Sequence, residues 1–236
     1  MRAVADKHSI VFNPPGPDTV LFLPGLPGSS ARSYDRSAYG NTATITGAVW
    51  KCLPGQLWYL DYDGNDDRLT IADAACLDIP GAFTILLWLR PDSTQSGTGA
   101  MVAAKCAATL RGWYIQASNA DVVRFYVTSD DGGSAYAYRD GQTGIRDDLW
   151  HMVACVFKPG SRQDVYVDGV LDNGSLTGTV QAAANLTSNP VTFGDWADAD
   201  IPFDGGIALP RLVNRALVAL EVRNIYDREK GVFGVC

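Results

Sequence analysis

Apolar residues recur along this chain in short blocks, each closed by a turn signal after about ten residues. The densest block is Phe83 to Arg90, F-T-I-L-L-W-L-R, apolar on both faces and stopped by Pro91. A strand with that pattern lies inside a sheet and is covered on both sides. Trp150 to Phe157 has the same character, with Val153, Cys155 and Phe157 on one face. Trp150, Met152, Ala154 and Val156 occupy the other. Lys158-Pro159-Gly160-Ser161 then makes a turn, Val165 and Val167 alternate with Tyr166, and Asp168-Gly169 supplies the next turn. The pattern is an antiparallel hairpin.

Further strands are predicted at Thr19 to Leu23, Leu57 to Leu60, Met101 to Lys105, Trp113 to Ala117 and Val122 to Thr128. Others follow at Ala135 to Arg139, Val191 to Gly194 and Ile207 to Val213. One helix closes the series, because Val218, Val222, Ile225, Tyr226 and Glu229 fall on a single stripe. The expectation is an all-β sandwich of two antiparallel sheets with one short C-terminal helix. Residues 1–18, which include P-P-G-P-D, read as an extended arm, and residues 19–236 as one domain.

Composition sharpens this picture. Of 26 acidic residues only Glu221 and Glu229 are glutamates, which leaves 24 aspartates. Aspartate belongs in turns and glutamate in helices, so the ratio itself argues for many loops and little helix. A net charge of −7 argues against nucleic acid and against anionic membranes. It suits calcium or a neutral partner such as a glycan. No apolar run is long enough to span a bilayer, so no membrane insertion is expected. The start, M-R-A-V-A-D-K-H-S-I, shows no cleavable secretory signal. Five cysteines without C-x-x-C spacing give no zinc site, and Cys155 reads as a small buried hydrophobe.

Several motifs occur in order: Y-D-R-S-A-Y-G-N, L-D-Y-D-G-N-D-D-R-L-T-I, A-F-T-I-L-L-W-L-R-P, L-W-H-M-V-A-C-V-F, V-Y-V-D-G and F-D-G-G-I-A-L-P-R-L-V-N-R-A-L-V-A-L-E-V-R-N-I-Y. Together they resemble the laminin-G-like, concanavalin A-like jelly-roll superfamily, in particular its microbial and viral members, over about Thr19 to Tyr226. The resemblance implies a jelly roll and one structural calcium between the early D-x-S turn and the last strand. Asp35 and Asn41 match the first half of that site. The acid normally found in the last strand is Ala208 here, and Asp204 stands nearby in a different strand phase. Solvated turn aspartates are the alternative. Asp195, Asp198 and Asp200 form a second oxygen-rich loop. The family helix opens with a serine that caps it, and Val218 stands in that place.

Catalytic sets are missing. The paired carboxylates of related glucanases, in E-x-D-x-x-E spacing, have no counterpart, and Asp61/Asp63 fall in a turn motif. The two histidines, His8 and His151, suggest no nucleophile–base pair. The expected function is a non-catalytic binding or structural module without further cofactors. Its partners are subunits of a larger assembly, such as the surface of a virion that it decorates, or cell-surface glycan; a calcium-assisted lectin-like adhesin is the alternative, and a divergent glycoside hydrolase using Asp61 or Asp63 is the third. Tyr136, Tyr138 and Trp196 are the candidate glycan or partner contacts, because sugar C–H faces pack on rings. Tyr136 and Tyr138 share one strand face, which is either a sugar platform or a packed sheet surface.

Overall fold

A computed structural model describes residues 16–25, 27–29, 31–95, 99–196 and 201–235. Two antiparallel sheets pack face to face. The first runs, in spatial order, Val170–Leu171, Arg162–Val167, His151–Lys158, Phe83–Pro91, Asp204–Val213, Trp58–Asp63 and Val49–Cys52. Thr19–Phe22 pairs with the far end of Asp204–Val213. The second runs Leu176–Gly178, Tyr136–Asp140, Val123–Thr128, Trp113–Ala117, Ala100–Lys105, Val191–Phe193, Arg68–Ile71, Ala43–Thr46, Arg32–Ser33 and Pro27–Ser29.

The doubly apolar strands are central, and each face has its own partner. Phe83, Ile85, Leu87 and Leu89 face the second sheet, together with Val153, Cys155 and Phe157. Leu86, Trp88, Met152, Ala154 and Val156 point outward and meet Val222, Tyr226 and Phe233 from the C-terminal segment. The helix Ala219–Glu229 therefore makes a third layer over part of the first sheet. Its first turn lacks a serine cap, but the Glu221 carboxylate accepts the Val218 N–H at 2.9 Å and pairs with Arg215. Arg215 holds the Glu221 carboxyl below its usual range. Burial of Val222 and Tyr226, at about 1.5–3 kcal/mol per side chain, outweighs the roughly 1 kcal/mol that the missing cap forgoes.

The predicted Asp168-Gly169 turn forms a two-residue hairpin loop, with φ of 52° and 75°. A Cβ on Gly169 would lie 2.9 Å from the Tyr226 Cβ, so glycine is also what lets the helix approach. Strands 43–46, 49–52 and 68–71 and the short edge strands are additions to the sequence expectation. Residues 1–15 of the expected arm lie outside the described residues; Gly16 accepts the Thr19 N–H in the turn that enters the first strand. Cys106 and Cys155 are buried, and Cys52 and Cys76 are free thiols; Cys236 lies outside the described residues.

His151 sits between two carboxylates, with Nδ1 2.9 Å from Asp168 and Nε2 3.1 Å from Asp147. Burial works to lower its pKa, but the hydrogen bond and charge of Asp168, and then those of Asp147, outweigh burial and hold it above 6.5. A raised folded-state pKa stabilises the fold below the unfolded pKa, and that stabilisation disappears as pH rises through the folded one. The stability gap between the native chain and His151→Asn should therefore be wider at about pH 6 than at about pH 9. Urea unfolding at both pH values checks this, and a pH-independent gap would refute it.

Candidate functional site

Alternation in the second sheet sends Trp113, Ile115, Phe125 and Val127 into the core and buries Ala137 on the same side. The intervening residues, Tyr114, Gln116, Arg124, Tyr126, Tyr136 and Tyr138, therefore line its outer face. Strand register sets Tyr114 opposite Tyr126, and Tyr126 opposite Tyr138. The Tyr114 and Tyr126 rings are parallel at 4.5 Å, Tyr126 and Tyr136 lie at 5.5 Å, and Tyr136 and Tyr138 at 6.2 Å. Trp196 meets Tyr114 edge-on at 6.2 Å, above an apolar patch of Met101, Ala104 and Cys106. All three residues singled out for glycan or partner contact thus join one aromatic row on one sheet face.

The row is uneven. Tyr114 and Tyr126 spend ring faces on each other, and burial raises the pKa of both phenols. Tyr138 lies under the Arg124 guanidinium, 4.1 Å from its centroid, and that arginine is held by Asp140 at 2.7 and 3.0 Å. Tyr136, at 36%, is the most exposed residue of the row, with its ring stacked beside Tyr126 and Tyr138.

A second feature lies on the first sheet, beyond the helix. Here the outward positions turn from apolar to charged: Tyr59 is followed by Asp61, and Trp88 by Arg90. Lys51, Asp61, Arg90, Asp92, Asp148, Asp204 and Gly205 line a cavity of about 350 Å³. Lys51 pairs with Asp61, and Arg90 approaches the same carboxylate at 3.4 Å while its guanidinium lies 5.7 Å from the Tyr59 and Trp150 rings. Asp148 accepts hydrogen bonds from the Ser93 N–H and hydroxyl at 2.9 and 2.7 Å. Desolvation, then Asp92, Asp61 and Asp63, raise the pKa of Asp204. Gly205 has φ of 132°, and a Cβ there would lie 2.1 Å from the Arg90 carbonyl. Sequence spacing gave no hint of this cavity; its only local trace is the charge that ends each of two apolar strands.

The expected cation ligands do not come together as one set. Asp35 and Asn41 share a loop, where the Asp35 carboxylate accepts the N–H groups of Phe22, Ser37 and Asn41 at 2.8–2.9 Å and the Ser37 hydroxyl at 2.7 Å. Four donors make that carboxylate a staple for its loop. Phe22 pairs with Arg211, seven positions along the strand from Asp204, a separation of about 20 Å. Ala208 is buried beneath the C-terminal segment. Asp195 is buried against Arg68, while Asp198 and Asp200 lie outside the described residues. Asp63, Asp66 and Asp67 bring carboxylate oxygens within 4.8 Å of one another, beside the strand that carries Asp204.

A family model described as the Concanavalin A-like lectin/glucanases superfamily matches residues 63–223. The chain belongs to this superfamily. No curated protein sequence matches the chain. Among solved structures, the superfamily fold recurs in the binding domain of Paraclostridial Mosquitocidal Protein 1, at 14% identity and a TM-score of 0.71, covering 89% of this chain and 52% of that one. The binding domain of Botulinum Neurotoxin DC, in complex with SialylT, gives the same identity and TM-score over 89% and 51%. A structure described by the dependence of botulinum neurotoxin type C cell entry on two ganglioside molecules matches at 14% and 0.69, over 89% and 51%. The chain spans about half the length of these neighbours. Among the described residues, no helix is long and apolar enough to cross a membrane.

Proposed function

We propose that the chain is a non-catalytic binding module that holds cell-surface glycan on the outer face of its second sheet. The observation that carries this reading is the aromatic row from Trp196 through Tyr114 and Tyr126 to Tyr136 and Tyr138. The outward face of an antiparallel sheet is ordinarily polar where it meets water, so an aromatic run there calls for a partner. A sugar ring lays its C–H face on Tyr136, with Tyr138 and Trp196 as flanking surfaces. Arg124 and Asp140 border the platform and supply hydrogen bonds to hydroxyls. The superfamily includes lectins, and neighbours of this fold are described with sialylated or ganglioside partners.

Truncating Tyr136 and Tyr138 together to alanine should weaken glycan binding about tenfold or more, since an aromatic contact contributes about 0.5–1.5 kcal/mol beyond its area. Glycan-array titration of the folded variant reads this, and unchanged binding excludes the platform. A chelator arm in the same titration separates the calcium-assisted adhesin, which loses binding with the cation, from the cation-independent module.

Membership of a larger assembly, such as a decorated virion, is a second reading. One side of the sandwich favours it: edge residues Val170 and Leu171 are more than half exposed, and Leu176 is 37% exposed on the adjoining edge of the other sheet. Apolar edges of this kind are covered when subunits meet. Sedimentation should then show self-association that Leu171→Lys abolishes; a monomer at all concentrations speaks against a homotypic contact.

A further inference from the structure

We propose that the charged cavity on the first sheet is a second, independent binding site that takes a single neutral sugar ring. The cavity, at about 350 Å³, falls at the small end of ligand pockets. Its lining sets four carboxylates beside two cationic groups, so it repels anions and offers hydrogen-bond acceptors and donors side by side. An anion would meet Asp92, Asp148 and Asp204, whereas a compact cation would sit within reach of Lys51 and Arg90. A polyhydroxylated neutral ring satisfies both sets at once, because each hydroxyl donates to a carboxylate and accepts from an ammonium or guanidinium.

The fixed parts of the cavity support this assignment. Asp61 is held between Lys51 and Arg90, and Arg90 is held by its stacking near Tyr59 and Trp150, so the donor side is preorganised. Ser93 orients Asp148 through two hydrogen bonds, and Thr94 orients Asp92 through its N–H and hydroxyl at 2.8 and 2.6 Å. Each of these carboxylates keeps lone pairs for a ligand. The Asp204 backbone N–H is taken by Gln95, while its partly desolvated carboxylate turns toward the other acids and has no hydrogen bond among the described residues. Gly205 alone permits the close strand approach to Arg90 on the cavity floor. The cavity shares no residue with the aromatic row, so the two sites stand or fall separately.

The test is a titration of the full chain with glucose, galactose, mannose and N-acetylglucosamine while backbone amide shifts are followed by NMR. At least one sugar should shift the amides of Ser93, Asp148 and Gly205. Asp204→Asn should weaken that response about tenfold, the loss of one charge-assisted hydrogen bond, with Tyr136→Ala leaving it unchanged. Lys51→Ala, on an exposed edge strand, serves as a second variant should Asp204→Asn melt early. The proposal is overturned if no sugar moves these amides, if both cavity variants bind like the native chain, or if glycine or putrescine binds more tightly than every sugar.

Discussion

Replacing Glu229 with alanine should destabilise the fold by about 3–5 kcal/mol, the cost of leaving a buried charge without its partner. Glu229 is 2% exposed, accepts the Trp88 indole N–H at 2.9 Å and pairs with Arg211 at 2.5 Å. Around this pair, Trp88 stacks on Phe233 at 4.0 Å and on Tyr226 at 5.8 Å. Alanine would strand the Arg211 guanidinium and the indole N–H in an apolar layer, and the helix would lose the polar tie that Glu229 makes to the sheet. Glu229→Gln keeps an acceptor for Trp88 and loses only the charge, so it should fall between the two. Glu221→Ala, at the exposed start of the same helix, should cost about 1 kcal/mol or less. Urea unfolding of the three variants checks the order, and an alanine penalty equal to that at Glu221 would refute the account.

A loss of similar size, about 3–5 kcal/mol, is expected for Phe83→Ala. Phe83 is 1% exposed, and its ring meets Phe157 at 5.3 Å, Trp113 at 6.1 Å and Phe125 at 6.2 Å. These partners come from both sheets and are themselves pinned by strand pairing, so a cavity left there collapses poorly. Phe83→Leu refills much of the volume and should cost less than half as much. Thermal unfolding of both variants reads the difference. Equal penalties would show that the loss comes from something other than the void.

The two large effects differ in how far they can be read from the chain. The placement of Phe83 followed from a run apolar on both faces, the pattern of a strand covered on both sides. Glu229 appeared merely as the one polar residue on an otherwise apolar helical stripe. That it closes a buried pair with Arg211 depends on how the helix crosses the sheet, which no local pattern encodes. The short strands 43–46 and 49–52 leave too little pattern to be predicted, for a related reason. Ala43–Thr46 alternates over only four residues, and Val49–Cys52 is a largely exposed edge with no buried face to leave a period.

The candidate sites divide in the same way. Tyr136 and Tyr138 were legible as a shared face, because residues two apart on a strand point the same way. Their union with Tyr114, Tyr126 and Trp196 needed the pairing of three strands and the return of a distant loop. Asp35, Asn41 and Asp204 were grouped on the family pattern, and the strand that carries Asp204 instead sets it about 20 Å from the other two. The charged cavity draws Lys51, Asp61, Arg90, Asp92, Asp148 and Asp204 from several segments, so its only trace in the sequence is the charge that ends two apolar strands.

By itself the sequence determined the architecture: apolar blocks of strand period, aspartate-rich turns and a single amphipathic helix admit a two-sheet sandwich and little else. Local chemistry suffices there, because backbone pairing and one-sided burial impose short periods on the chain. Tertiary structure alone decided which outward faces meet. The same outward phase is covered by the helix at Trp88 and opens into a charged cavity one step later at Arg90. Sheet order and crossing angle make that distinction, through contacts between residues far apart in the chain.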